Sequence, residues 1–172
     1  MMRILHQILR TGIAREPLEV SADVQAIGAE LKEAIWKRFN RSLTIRQVDA
    51  GSCNGCELEI HAMNNVFYNC EQYGIHFTAS PRFADLLLVT GPVTHNMEIA
   101  LQRTYNSTPS PKLVVAVGDC GCNGGIFGET YASLGGIDKV IPVDLVIPGC
   151  PPTPTDLLRG LLQLMNQMGS GK

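Results

Sequence analysis

The sequence is poor in charged and in aromatic residues. Charged side chains make up 17% of the 172 residues and aromatic side chains 6%, whereas about a quarter of an average domain is charged. Few charges are typical of a surface that partner proteins cover and equally of a compact α/β domain with a buried sheet. No basic patch with interleaved aromatic residues occurs, so we expect no nucleic-acid partner.

Long apolar runs are also missing. No stretch of about 18 or more apolar residues occurs, so the sequence predicts no membrane span. The N-terminus lacks an apolar segment followed by a small-residue cleavage site, and we expect no signal peptide. The six cysteines are therefore expected in a reducing cytoplasm, where close spacing indicates metal or redox chemistry in preference to disulfides.

The first 42 residues predict a helical extension. Residues 1–16 place Ile4, Leu5, Ile8 and Leu9 at helical spacing, with basic and polar residues opposite them. Such a segment is typical of docking to a partner protein, with a membrane surface or a frayed terminus as alternatives. Ser21 is the predicted N-cap of a second helix. Net charge is uneven, because residues 1–48 carry 8 Lys/Arg and 5 Asp/Glu out of totals of 14 and 16.

From residue 43 onward, short apolar runs alternate with helical patterns, and the length suits one domain over residues 43–172. This alternation predicts a mostly parallel sheet with helices on both faces, joined by right-handed crossovers. The predicted strands are Leu43–Val48, Gly74–Ala79, Ala84–Thr90, Lys112–Val117 and Asp144–Ile147. The predicted helices begin at Glu57 (to about Cys70), His95 (to Tyr105) and Thr153 (to Met168).

Cysteines follow three of these strands. Cys53 and Cys56 form a Cys-x-x-Cys pair after the first strand, Cys120 and Cys122 follow the fourth, and Cys150 follows the fifth. The carboxyl ends of parallel strands share one edge of a sheet, which is where ligands bind in such folds. We therefore expect four thiolates at one place, the number that a [4Fe–4S] cluster needs.

The spacing favours an iron–sulfur cluster over the alternatives. Zinc sites usually take their ligands as two close pairs, whereas this chain has one pair and two distant loops. Glycines crowd the three loops and let the backbone approach a bulky inorganic core. Zinc and free or catalytic thiols remain alternatives at this point, and either Cys120 or Cys122 suits the third position chemically. We predict that Cys70 is a small, buried hydrophobic residue and not a ligand.

Three ordered motifs resemble the small subunit of [NiFe] hydrogenases and the related 20-kDa subunit of respiratory complex I. They are Cys-x-x-Cys with Glu59, Gly-x-Cys-x-x-x-Gly-Gly around Cys120, and Pro-Gly-Cys-Pro-Pro around Cys150. The likeness runs from about Val48 to Leu162 and is greatest to energy-converting, membrane-bound hydrogenases of the formate hydrogenlyase type. Further segments that carry it are Ser80-Pro81-Arg82, Ala84-Asp85, Thr90-Gly91-Pro92-Val93-Thr94 and Ile141-Pro142-Val143-Asp144.

The resemblance implies a flavodoxin-like fold and one proximal [4Fe–4S] cluster held by Cys53, Cys56, Cys120 and Cys150. It implies three kinds of partner: a hydrogenase large subunit, a ferredoxin-like iron–sulfur subunit and membrane-arm subunits, at the cytoplasmic face of a membrane. In relatives of this type the active site lies on the large subunit, so this chain would hold no complete active site. Glu59 would lie at the boundary between the subunits, where it would assist proton movement or act as a helix N-terminal acid. Arg82 would contact the large subunit or be a solvated loop arginine, and Phe83 stands where several relatives have His.

Two alternatives stay open. The first is the equivalent cluster subunit of a complex I-like quinone oxidoreductase. Such subunits carry adjacent cysteines in the first motif, whereas Asn54 and Gly55 separate the two here, as in hydrogenases. The second is a zinc-stabilised assembly scaffold, which would be colourless where an iron–sulfur protein is brown.

Overall fold

A parallel sheet of five strands forms the centre of the molecule, and helices cover it. The computed structural model describes residues 2–11 and 21–169. The helices are α1 Met2–Thr11, α2 Ala22–Phe39, α3 Gly55–Ala62, α4 His95–Ser107, α5 Gly118–Asn123 and α6 Pro154–Gly169. The strands are β1 Leu43–Asp49, β2 Ile75–Phe77, β3 Leu86–Thr90, β4 Val93–Thr94, β5 Leu113–Val117, β6 Ser133–Gly135 and β7 Leu145–Ile147. Short 3₁₀ turns lie at Cys70–Tyr73, Pro81–Phe83 and Ile137–Lys139.

The sheet has the strand order β2-β1-β3-β5-β7, and all its neighbouring strands are parallel. Counted along the chain, this is the 2-1-3-4-5 order of flavodoxin-like folds, so the predicted fold class is confirmed. Every residue of β3 and β5 is buried. Their apolar runs fit this position because a central parallel strand is covered on both faces.

Two hydrophobic clusters flank the sheet. On one face α2, α3 and α6 pack through residues such as Leu31, Ile60 and Leu161. On the other face Leu101 of α4 and Ile137 pack against alternate residues of β3 and β5. Helix α2 therefore belongs to the core, whereas Ile4, Ile8 and Leu9 of α1 are exposed. Within the described ranges, every helix is too short or too polar to cross a bilayer.

Helix α3 is shorter than the sequence predicts, since it ends at Ala62 instead of near Cys70. Asn65 explains the difference: its side-chain oxygen accepts hydrogen bonds from the backbone N–H groups of Phe67 and Tyr68. An asparagine that binds the following backbone in this way forms a turn that competes with the helix. Asn69 then adopts a left-handed conformation with φ 40°.

A second, two-stranded antiparallel sheet, β4 with β6, was not expected from the sequence. Both strands are very short, so their sequences carry no periodic signal. This small sheet is fixed to the first cysteine loop, because the backbone N–H of Thr94 donates to the carbonyl of Ala50 at 2.9 Å. It therefore helps to hold that loop at the end of β1.

Candidate metal centre

The first cysteine loop is bent by an aspartate at the end of β1. Asp49 Oδ1 accepts hydrogen bonds from the backbone N–H groups of Gly51 and Ser52, both at 2.7 Å. Asn54 then takes a left-handed conformation, φ 73°, and α3 begins directly after it. This path leaves Cys53 exposed and buries Cys56 in the first turn of α3.

The second and third loops are tied to one another. The N–H of Asp119 donates to the carbonyl of Gly149 at 2.9 Å, and the N–H of Gly149 donates to Asp119 Oδ1 at 2.8 Å. These two bonds join the residue before Cys120 to the residue before Cys150. The positions of the two thiols are thereby coupled through the backbone, although 30 residues separate them in the chain.

The three loops meet around one cavity, which we call the four-cysteine site. Cys53, Cys56, Cys120 and Cys150 all line it, together with the backbone of Gly91 and Gly149. The residues lining this cavity, all within the described part of the chain, do not include Cys122. Both Cys120 and Cys122 lie on α5, and residues two apart on a helix point in nearly opposite directions.

Two glycines make room for the sulfurs. A Cβ atom on Gly118 would lie 2.7 Å from the Cys56 sulfur, and one on Gly125 would lie 2.8 Å from the Cys120 sulfur. Both glycines also have positive φ, 79° and 55°. Any side chain at either position would therefore press directly on a thiol of the site. Among residues 2–11 and 21–169, no three Cys, His, Asp or Glu side chains form a group suited to a single metal ion.

The electrostatics of the site oppose four free thiolates. Burial raises the pKa of the Cys56 thiol to about 12, with further contributions from Glu57 and the other three thiols. Burial also raises the pKa of Cys120, followed by the charges of Cys150 and Cys53. Thiolates crowded in this way need positive charge between them, and binding of metal to such a site releases protons.

The remaining predicted residues lie outside the cavity. Glu59 is partly exposed on α3, and Arg82 and Phe83 are exposed. The histidines His61, His76 and His95 are also exposed. Cys70 is fully buried and donates its S–H to the side-chain oxygen of Asn64 at 3.2 Å, so its prediction as a small buried residue is confirmed.

Glu57 is a residue of the site that sequence reasoning missed. It follows Cys56 directly, is 5% exposed, and its Oε1 accepts a hydrogen bond from the hydroxyl of Thr90. The signal that could have found it was Thr90 itself, a polar residue that closes an otherwise apolar strand. A polar side chain that is buried there needs a partner, and the partner is Glu57.

Comparison with known proteins agrees with this geometry. The family described as "NADH ubiquinone oxidoreductase, 20 Kd subunit" matches residues 53–164, which include all four cysteines of the site. The chain belongs to this family. Its members are subunits of oxidoreductase complexes, so the expectation of an oxidoreductase subunit related to hydrogenases and to complex I is confirmed.

Relatives of the chain include subunits of hydrogenase-type enzymes and of NADH-quinone oxidoreductases. The chain is 46% identical over 132 residues to formate hydrogenlyase subunit 7 of Escherichia coli, covering 77% of this chain and 52% of that protein. It is 41% identical over 134 residues to a probable membrane-bound hydrogenase subunit, mbhJ, of Pyrococcus furiosus, covering 78% and 80%. It is 44% identical over 115 residues to an NADH-quinone oxidoreductase subunit of Citrifermentans bemidjiense, covering 67% of each. The chain thus spans about half the length of the formate hydrogenlyase subunit.

A solved structure shares the fold. It is that of the membrane-bound sulfane sulfur reductase, described as an archaeal respiratory membrane complex. One of its chains superimposes with a TM-score of 0.69 at 37% sequence identity, covering 82% of this chain and 77% of that one.

Proposed function

We propose that this chain is an electron-transfer subunit that holds a single [4Fe–4S] cluster through Cys53, Cys56, Cys120 and Cys150. The observation that carries the proposal is the four-cysteine site, in which three strand-end loops bring four thiols to one cavity. The donor set fits the group, since four cysteine thiolates are the usual ligands of a [4Fe–4S] cluster. The space kept free by Gly118 and Gly125 fits it as well.

A bound cluster of this kind accepts and releases single electrons. The residues of the chain would hold it, exclude water on the inner side and leave it accessible on the outer side. Cys56 is buried, whereas Cys53 and Cys150 are exposed. The chain thus supplies one accessible edge through which electrons enter and leave.

The rim of the site supports a position against a partner protein. Ile126 is 88% exposed and lines a cavity together with Cys120 and Cys150. An exposed apolar side chain beside the exposed thiols is consistent with a protein contact at this edge. The partner would be the large, active-site subunit of a membrane-associated [NiFe] hydrogenase, with the cluster in the proximal position. Electrons would pass on to a ferredoxin-like iron–sulfur subunit.

The same proposal gives the N-terminal residues a role in docking and gives the chain a location. Of the predicted extension, residues 1–42, only α1 would dock to a partner, because α2 packs in the core with the cluster domain. Ile4 and Ile8 of α1 are 64% and 59% exposed. Contacts with membrane-arm subunits would hold the chain peripherally at the cytoplasmic face. Glu59 and Arg82 are assigned to the boundary with the large subunit, Glu59 in proton movement.

The second candidate is the equivalent subunit of a complex I-like quinone oxidoreductase. Similarity to the NADH-quinone oxidoreductase subunit of Citrifermentans bemidjiense, at 44% identity, favours it. Two observations favour hydrogenase: the similarity to formate hydrogenlyase subunit 7 and Asn54-Gly55 between the first two cysteines. The two candidates share the cluster and differ in the partner protein, which would carry nickel in the hydrogenase and no nickel in the quinone oxidoreductase.

Metal analysis and electron paramagnetic resonance of the anaerobically purified, dithionite-reduced complex test the proposal. We expect about four irons attributable to this subunit, lost in Cys120→Ala and retained in the matched control Cys122→Ala. Nickel in the same preparation supports the hydrogenase, and its absence supports the quinone oxidoreductase. Zinc without iron in material kept free of oxygen would contradict the proposed electron-transfer function and would support a zinc-stabilised scaffold.

A further inference from the structure

Glu57 is an acidic side chain enclosed by the protein next to the four-cysteine site. It is 5% exposed, and its Oε2 atom is buried with no hydrogen-bond partner among the described residues. A carboxylate in such a position is costly to bury, and buried polar groups that lack a partner usually have a reason beyond packing. Glu57 is therefore a candidate for a role at the site.

The carboxylate is held in place by the wall of the site itself. Its Oε1 accepts the hydroxyl hydrogen of Thr90, and Thr90 precedes Gly91, whose backbone lines the cavity with the cysteines. Glu57 also follows Cys56 directly in the chain, so a peptide bond links it to a residue of the site. The acidic group is thus anchored to the site through two different segments, α3 and the end of β3.

An ionised carboxyl group held in this position would act on electron uptake. Each electron that enters a cluster makes it one unit more negative, and a nearby buried anion opposes that change because solvent screens it weakly. Net charge near the cluster is one of the factors that set iron–sulfur potentials. We propose that Glu57, held by Thr90, lowers the reduction potential of the cluster in the four-cysteine site. This inference rests on the proposed function.

Redox titration of the purified complex, followed by electron paramagnetic resonance, measures the effect. Glu57→Gln removes the charge while keeping the shape, and Glu57→Ala removes it without placing a new polar group in the buried position. The control is Glu71→Gln, which removes the same charge at an exposed position on the Cys70–Tyr73 turn. We expect both Glu57 variants to shift the one-electron equilibrium about tenfold toward the reduced state, equivalent to about 59 mV, while the control keeps the wild-type potential.

The outcomes separate this inference from the proposed function. Potentials of both Glu57 variants equal to that of the control would overturn the role of Glu57 and leave the cluster assignment intact. If only one variant retains the cluster, its potential decides. Loss of the signal from both variants, with the control intact, would also overturn it, because Glu57 would then be needed to hold the cluster. A wild-type complex with no iron–sulfur signal would overturn the proposed function itself.

Discussion

At the scale of single residues, the site depends on positions where no side chain fits. Gly118 combines a φ of 79° with a closest approach of 2.7 Å between its added Cβ and the Cys56 sulfur. We expect Gly118→Ala to displace Cys56 and to lower the iron content of the purified subunit severalfold. The measurement is iron per chain after anaerobic purification, with absorbance near 400 nm (roughly where such clusters absorb) as a second readout.

Gly128 provides the matched control for this substitution. It also has a positive φ, 55°, but an added Cβ would meet no atom within 4 Å. Gly128→Ala therefore carries the backbone strain, about 1–2 kcal/mol, without the steric conflict. Equal loss of iron in both variants would show that strain alone is responsible, and would contradict the interpretation that Gly118 makes room for the Cys56 sulfur.

At the scale of secondary-structure elements, the start of α6 is fixed by a reciprocal cap directly after the Cys150 loop. The Asp156 N–H donates to Thr153 Oγ1, while the hydroxyl and N–H of Thr153 donate to Asp156 Oδ2. We expect Thr153→Ala to lower the free energy of unfolding by about 1 kcal/mol. Chemical denaturation at neutral pH measures this loss.

The same cap gives a pH dependence with a defined sign. The hydrogen bond from the Thr153 side chain lowers the pKa of Asp156 below its ordinary value of 3.8, and the nearby Arg159 acts in the same direction. The stabilisation is therefore complete above pH 3.8 and is lost as the pH falls through the lower folded pKa. In Asp156→Asn this part of the acid dependence should vanish, which repeated denaturation between neutral pH and about pH 3 would reveal. An unchanged acid profile would contradict it.

Much of the architecture follows from the sequence because its elements are defined locally or by simple alternation. The run Leu86–Thr90, apolar except for its last residue, can only be a central strand or a buried helix turn, and five residues are too short for a helix. The convergence of the cysteines follows from parallel topology alone. By contrast, the true end of α3 depends on how the Asn65 side chain competes for backbone N–H groups.

The parts of the site that the sequence does not predict are those set by contacts between distant segments. Glu57 and Glu59 are both acidic residues in the first turns of one helix, so their sequence positions give no reason to choose between them. Only the approach of Thr90 makes Glu57 the buried one. The Asp119–Gly149 tie likewise joins residues that no local pattern relates.

At the scale of the whole molecule, the two N-terminal helices differ in what they contribute. Leu31 of α2 is fully buried in the core, whereas Ile8 of α1 is 59% exposed. We expect Leu31→Ala to cost about 2–5 kcal/mol of stability, and Ile8→Ala to change stability by less than about 0.5 kcal/mol. Thermal unfolding measures both. Ile8→Ala should instead reduce the amount of this chain that co-purifies with its complex, and undiminished co-purification would contradict docking through α1.

The strand order determines when, during synthesis of the chain, the four thiols of the site come together. Cys53 leaves the ribosome early, but Cys150 follows β7, which pairs with β5 at the far edge of the sheet. The last thiol therefore reaches its place only after all seven strands of the described chain have been translated and β7 has paired with β5. If the site holds the proposed cluster, a nascent chain would offer it an incomplete ligand set, and all four thiols would be in place only in the finished fold.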